Sequence, residues 1–135
     1  MTAKEYLSQY RDCVESIKCK RFELERLLDD ATSITPSRED TGHTTGNVSD
    51  KVGRIGSEIA DISREIDEEC AAVRTLRRDI RASISAVPSG TLRRLLTYRY
   101  ICGCTWERTA VKLNMSYVHV VHRLHPKALH YIGDR

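Results

Sequence analysis

The chain has 135 residues, enough for one small domain with an extension and too few for several full domains. Hydrophobic residues make up 40% but aromatic ones only 6%, so a modest core is expected. No window approaches the ~20 apolar residues of a membrane span, which excludes that class.

The net charge of +3 conceals a division. Residues 1–87 carry 14 Lys and Arg against 17 Asp and Glu, whereas residues 88–135 carry 8 against 2. Four of the five histidines also lie in the second part. A basic module joined to a mildly acidic one points to a polyanionic partner. The N-terminal "MTAKEYLSQY" has neither the apolar run nor the cleavage pattern of a signal peptide. Five cysteines, an odd number without disulfide-framework spacing, place the chain in a reducing cytoplasmic compartment.

In chain order, residues 2–31 predict one helix. "TAKE" is a capping box, with Thr2 as N-cap and Glu5 three residues on. Apolar residues then recur at helical spacing through Tyr6, Leu7, Tyr10, Val14, Ile17, Leu24, Leu27 and Leu28; Arg21 interrupts the stripe. Residues 33–48 hold Pro36, Gly42 and Gly46 among many Ser, Thr and Asp residues, and predict a loop in which His43 is solvated.

A second helix is expected from an N-cap at Ser49. Its stripe runs Val52, Ile55, Ile59, Ile62, Ile66, Cys70, Val73, Leu76, Ile80, Ile84 and Val87, close to a coiled-coil repeat. The intervening charge runs, "RTLRRDIR" among them, predict solvated faces, and Pro88 ends the helix. Two long helices and one loop most simply form an antiparallel hairpin. Each has a narrow stripe, so further cover is expected from dimerisation or from docking on the C-terminal module.

Residues 88–135 predict three short helices: Thr91–Cys102, Thr105–Leu113, and one capped by Ser116. A helix of about nine residues, a three-residue turn and a following helix fit a helix-turn-helix. Ala110 is small where two helices must cross. Leu113 and Met115 are placed to plug the corner, and Val120 and Leu124 to face inward. Tyr117, His119, His122 and Arg123 then face outward.

The run "LRRLLTYRYICGCTWERTAVKLN" and the following "HRLHPKAL" resemble sigma-70 region 4-like domains. The likeness is greatest to small phage and mobile-element proteins with a helical segment before such a domain. It rests on Arg99, Tyr100, Gly103, Thr105, Trp106, Glu107, Ala110, Arg123, Leu124, His125, Ala128 and Leu129. This resemblance implies a role in transcription, with double-stranded DNA as partner and RNA polymerase as a second one.

Three features depart from the pattern. Thr109 stands where an aliphatic residue is usual, and Val111 is expected to supply the missing apolar surface. Pro126 falls within the recognition helix and predicts a kink or break. The segment is also about one residue longer than the common pattern.

On this reading Arg93, Arg94, Arg108, Lys112 and Lys127 contact phosphates, which gives salt-dependent affinity. Ser116 caps the recognition helix, while Tyr117, His119, His122 and Arg123 reach phosphates or base edges. Arg99 is expected to pair inside the module, and Trp106 to lie in its core. Cys102, Cys104, His119, His122 and His125 are all zinc-ligand types. However, C-x-C is poor tetrahedral spacing, and histidines three apart spread over about 120° of a helix. No cofactor is expected. No P-loop, nucleophile elbow or HExxH occurs, so an enzyme is not expected either.

The expected architecture is therefore all-α: a coiled-coil-like hairpin over 1–87, then a helix-turn-helix domain over 88–135. The expected function is that of a sequence-specific DNA-binding transcription regulator, with possible homodimerisation through the N-terminal helices. Two alternatives are a DNA-packaging accessory resembling a terminase small subunit, and a protein-interaction module that does not bind DNA.

Overall fold

A computed structural model describes residues 1–33 and 45–135, the side chains of 45–49 excepted. Among these residues every regular element is helical. They are α1 (Ala3–Ser33), α2 (Thr45–Ser85), α3 (Gly90–Leu96), α4 (Trp106–Leu113), α5 (Tyr117–His119) and α6 (His125–Ile132). Two π-helical turns, Thr97–Ile101 and Val120–Leu124, prolong α3 and join α5 to α6. No described helix is long and apolar enough to cross a membrane.

The capping box at the start of α1 is formed in both directions. The Glu5 backbone N–H donates to the Thr2 hydroxyl at 3.2 Å, and the Thr2 N–H donates to the Glu5 carboxylate at 2.7 Å. That second bond holds the Glu5 carboxyl below its usual range. The predicted loop over 33–48 is shorter at both ends, because α1 reaches Ser33 and α2 starts at Thr45. Ser49, the expected N-cap, lies inside α2. No proline stands between Thr45 and Ser49 to stop the helix from extending backwards. The rest of the loop, with His43, lies outside the described residues.

The chain divides into two compact units. One comprises Met1–Val14 with Ala72–Arg135, the other Glu15–Ala71. In the second unit Ile17, Ile62 and Ile66 are buried. The Lys20 ammonium meets the carboxylates of Glu65 and Glu69, which raises its pKa. Arg21, the residue that interrupts the stripe, is exposed and turns its guanidinium toward the Cys70 sulfur.

The first unit has a single core. Leu7 from α1, Ile80 and Ile84 from α2, and Val87 just beyond it join Leu92, Leu95, Leu96, Tyr100, Ala110, Val120, Ala128 and Ile132. Full burial of each Leu, Ile or Val side chain contributes about 1.5–3 kcal/mol. Within this unit the stripe residues Leu7, Ile80, Ile84 and Val87 therefore find cover on the C-terminal helices. The last residues close this unit against α1. The Asp134 carboxylate accepts from the Ala3 N–H at 3.0 Å, at the positive end of the α1 dipole. The Arg135 guanidinium sits 4.4 Å from the Tyr6 ring centroid and donates to the Ser83 hydroxyl.

Between α3 and α4 the chain turns at Gly103, whose φ of +72° suits glycine. A Cβ there would lie 2.5–2.7 Å from atoms of the Arg11 guanidinium. Gly103→Ala should thus lose about 1–2 kcal/mol of stability from backbone strain, with displacement of Arg11 adding to it. Urea denaturation measures the loss; an unchanged midpoint contradicts the left-handed backbone at Gly103.

Candidate nucleic-acid interface

The path from α4 to α5 is fixed by local hydrogen bonds. The Thr105 hydroxyl caps α4 by accepting from the Arg108 N–H at 3.2 Å. At its other end Asn114 adopts a left-handed conformation, φ 55°. The Asn114 N–H then donates to the Val111 carbonyl and the Met115 N–H to the Ala110 carbonyl, each at 3.1 Å. This pair of bonds is a Schellman motif, with asparagine in the place glycine usually takes. One residue later the Ser116 hydroxyl accepts from the His119 N–H at 3.3 Å and opens α5.

The roll of this helix about its axis decides which side chains reach solvent. Five residues of regular α-helix turn through about 500°, which would leave His125 about 140° from Val120. The π turn takes up one extra residue, so His125 instead stands about 40° from Val120 and shares its buried side. The marker bond of that turn runs from the His125 N–H to the Val120 carbonyl. Pro126 consequently sits in the first turn of α6, where its missing N–H is tolerated. The backbone stays helical from Tyr117 through Ile132, so the break expected at Pro126 is replaced by a change in winding just before it.

His125 is anchored from two sides. Its Nε2 shares a 2.6 Å hydrogen bond with the Tyr100 hydroxyl. The Trp106 ring meets it edge-on at 4.5 Å between centroids. Burial pushes the imidazole down to about 4, with the positive charges of Lys4 and Arg99 adding to the effect. Burial also drives the Tyr100 phenol up to about 12. Arg99 is held within the module: its Nη1 donates to the Cys104 carbonyl at 2.9 Å, and its guanidinium lies 4.6 Å from the Trp106 centroid. Trp106 is half-buried against the core.

With the inner side so fixed, Tyr117, His119, His122 and Arg123 are all exposed, as is Lys127 on α6. Arg93, Arg94, Arg108 and Lys112 gather around Tyr98. Gly90, Arg93, Arg94, Thr97 and Tyr98 line a surface depression of about 370 Å³. Tyr98 also borders a second, of about 410 Å³, which Arg108 and Lys112 line together with Cys102 and Cys104. Sequence charge pointed to the four cations, whereas Tyr98, which borders both depressions, was not singled out. Arg93 is the least free of them. It is half-buried, and its Nη1 donates to the Val87 carbonyl at 2.6 Å.

Two expectations about the corner need correction. Thr109 is itself fully buried, with its hydroxyl donating to the Thr105 carbonyl at 2.9 Å. It needs no substitute, and Val111 is 78% exposed. Leu113 packs on the core, but Met115 does not plug the corner and is exposed. The Schellman bond directs the Met115 backbone, not its side chain, toward α4. Among the described residues, no three His, Cys, Asp or Glu side chains are grouped to hold a metal, and the five cysteines are free. His119 and His122 are exposed while His125 is buried, so the three histidines do not converge.

No family model, curated protein or solved structure matches this chain.

The buried imidazole predicts a pH dependence. The folded state disfavours the proton, so between pH 6.5 and about 4 the unfolded chain binds more protons and stability falls as pH falls. The loss should be on the order of 2 kcal/mol between pH 7 and pH 4. Denaturant titrations across that range should show the drop in the parent protein and a much smaller one in His125→Gln. An equal drop in both contradicts the assignment.

Proposed function

We propose that residues 88–132 form a helix-turn-helix module similar to sigma-70 region 4, and that the protein is a sequence-specific DNA-binding transcription regulator of phage or mobile-element type. One observation carries this reading. The helix opened by Ser116 buries Val120, His125, Ala128 and Ile132, and leaves Tyr117, His119, His122 and Arg123 in solvent. Recognition helices use the residues near their N-terminus to reach base edges in the major groove. The cations around Tyr98 supply the flanking phosphate contacts that such docking requires.

In this arrangement Arg123 offers a planar fork to a guanine edge or a phosphate. Tyr117 and the 63%-exposed Val118 offer apolar contact to a thymine methyl. Arg94, Arg108, Lys112 and Lys127 neutralise phosphates, with Arg93 contributing from its half-buried position. The charge of the compact unit agrees with this role. Met1–Val14 with Ala72–Arg135 carries 14 Lys and Arg against 5 Asp and Glu, a net +9, while Glu15–Ala71 carries 8 against 14, a net −6.

The long helices form an antiparallel hairpin on this proposal, a reading supported by the reach of Lys20 to both Glu65 and Glu69. Phe22, Leu28 and Val52 remain exposed in the acidic unit, which favours homodimerisation there. RNA polymerase is the second partner that a sigma-like module implies.

Selection from a random duplex library by the full-length protein tests the reading. A preferred sequence should emerge, and Arg123→Ala should weaken binding to it by about 10- to 100-fold while relaxing preference at one position. Lys127→Ala should instead weaken binding to all duplexes alike and lower the salt slope by about 1. Recovery of no preferred sequence, or full retention of preference by Arg123→Ala, contradicts it.

A further inference from the structure

Arg74, Arg77, Arg78 and Arg81 lie on α2 at helical spacing and share one side of it. With Ala82 and Ser85 they line an open depression of about 440 Å³. All four are exposed. None has a carboxylate three or four residues away on the helix, because those positions, between Cys70 and Ser85, hold uncharged residues or another of the four arginines. Helix neighbours at that spacing are the ones that interact, so the four repel one another and are not compensated. Three other cations of the two long helices have carboxylate partners: Lys18 pairs with Glu15, Lys20 with Glu65 and Glu69, and Arg64 with Asp61. Asp79, the carboxylate nearest in sequence, stands at a different angle around the helix and forms no ion pair with them among the described residues.

We infer that this arginine face binds the phosphate backbone of duplex DNA, as a sequence-independent contact separate from the outer side of α5. Three properties select that occupant. Each cation is arginine, whose planar fork grips a phosphate through two hydrogen bonds where lysine offers a point charge. The lining contains no large apolar side chain. A protein partner would be expected to find apolar anchors at the centre of its interface, whereas phosphate contacts need none. Arg74 to Arg81 spans about 10 Å of helix, a length over which a duplex presents about six phosphate charges. Binding would replace four-fold repulsion with charge-assisted pairs and release counterions from the DNA. This contact does not require α5 to read a sequence.

The test uses the full chain and a mixed-sequence duplex, with affinity measured from low to moderate salt. The variant carries Arg74→Gln, Arg77→Gln, Arg78→Gln and Arg81→Gln together. Its slope of log affinity against log salt should be shallower than that of the parent by about 2 to 4, and its low-salt affinity at least tenfold lower. Replacing all four with lysine should restore most of the slope. The pair Arg77→Gln with Arg81→Gln should show roughly half the change, and serves if the fourfold variant does not fold. An unchanged slope in folded variants overturns the inference. So does an unchanged slope with lost binding to polyglutamate, which would assign the face to an acidic protein. If the slope change is seen but the parent shows no preferred sequence, this inference stands and the sequence-specific reading of α5 falls. A preferred sequence with an unchanged slope gives the reverse, and no duplex binding at low salt removes both.

Discussion

The hydrogen bond between Tyr100 and His125 ties the last helix to the first helix of the C-terminal module, and much else depends on it. It holds one residue of the Ser116-initiated helix against the core at a fixed angle. Every other side chain on that helix then has its direction set by helical geometry. The bond is reachable only because the π turn at Val120–Leu124 brings His125 round to the buried side. Without that extra residue of winding, Val120 and His125 would compete for the core from different sides. A neutral imidazole suits the site, since Lys4 and Arg99 already place positive charge near it.

Charge separation is the second organising constraint. The unit that contains the C-terminal helices is strongly basic, and the remainder is acidic. Such a distribution is costly within each unit, because like charges repel. The ion pairs of Lys20 relieve part of this in the acidic unit. In the basic unit most of the cations stand in solvent, around Tyr98 and along one face of α2. A polyanion would relieve both sets. On the proposed reading, affinity is steep in ionic strength and specificity is left to the few side chains on α5 and the π turn.

Much of the helical pattern was legible in the amino-acid sequence because periodicity and caps leave direct marks. Thr2 with Glu5, Thr105 and Ser116 each start a helix as their side chains predict, and the buried stripe residues fall at three- and four-residue intervals. The ends were less legible. No proline stands just before Ser49, so α2 starts earlier than its expected cap. The π turn leaves only an indirect mark in composition. On the proposed sigma-like reading, it takes up the one residue by which the segment exceeds the common pattern. The position of Thr109 was misjudged for a related reason: a hydroxyl that bonds back to the preceding turn can be buried as readily as a methyl group. Of the proposed interface, the cations were suggested by charge alone, whereas Tyr98 was not, because an aromatic residue in a core-rich stretch looks the same whether it faces in or out.

The most direct test of the central claim is an NMR titration of the isotope-labelled full-length protein with its preferred duplex, following backbone amides and histidine ring signals. The account predicts that shifts concentrate on Tyr117–Arg123 and around Tyr98, while the His125 ring keeps its free-state signals because it stays bonded to Tyr100. Shifts confined to Glu15–Ala71, or loss of the His125 signature on binding, would contradict a rigid helix that presents its outer side to DNA.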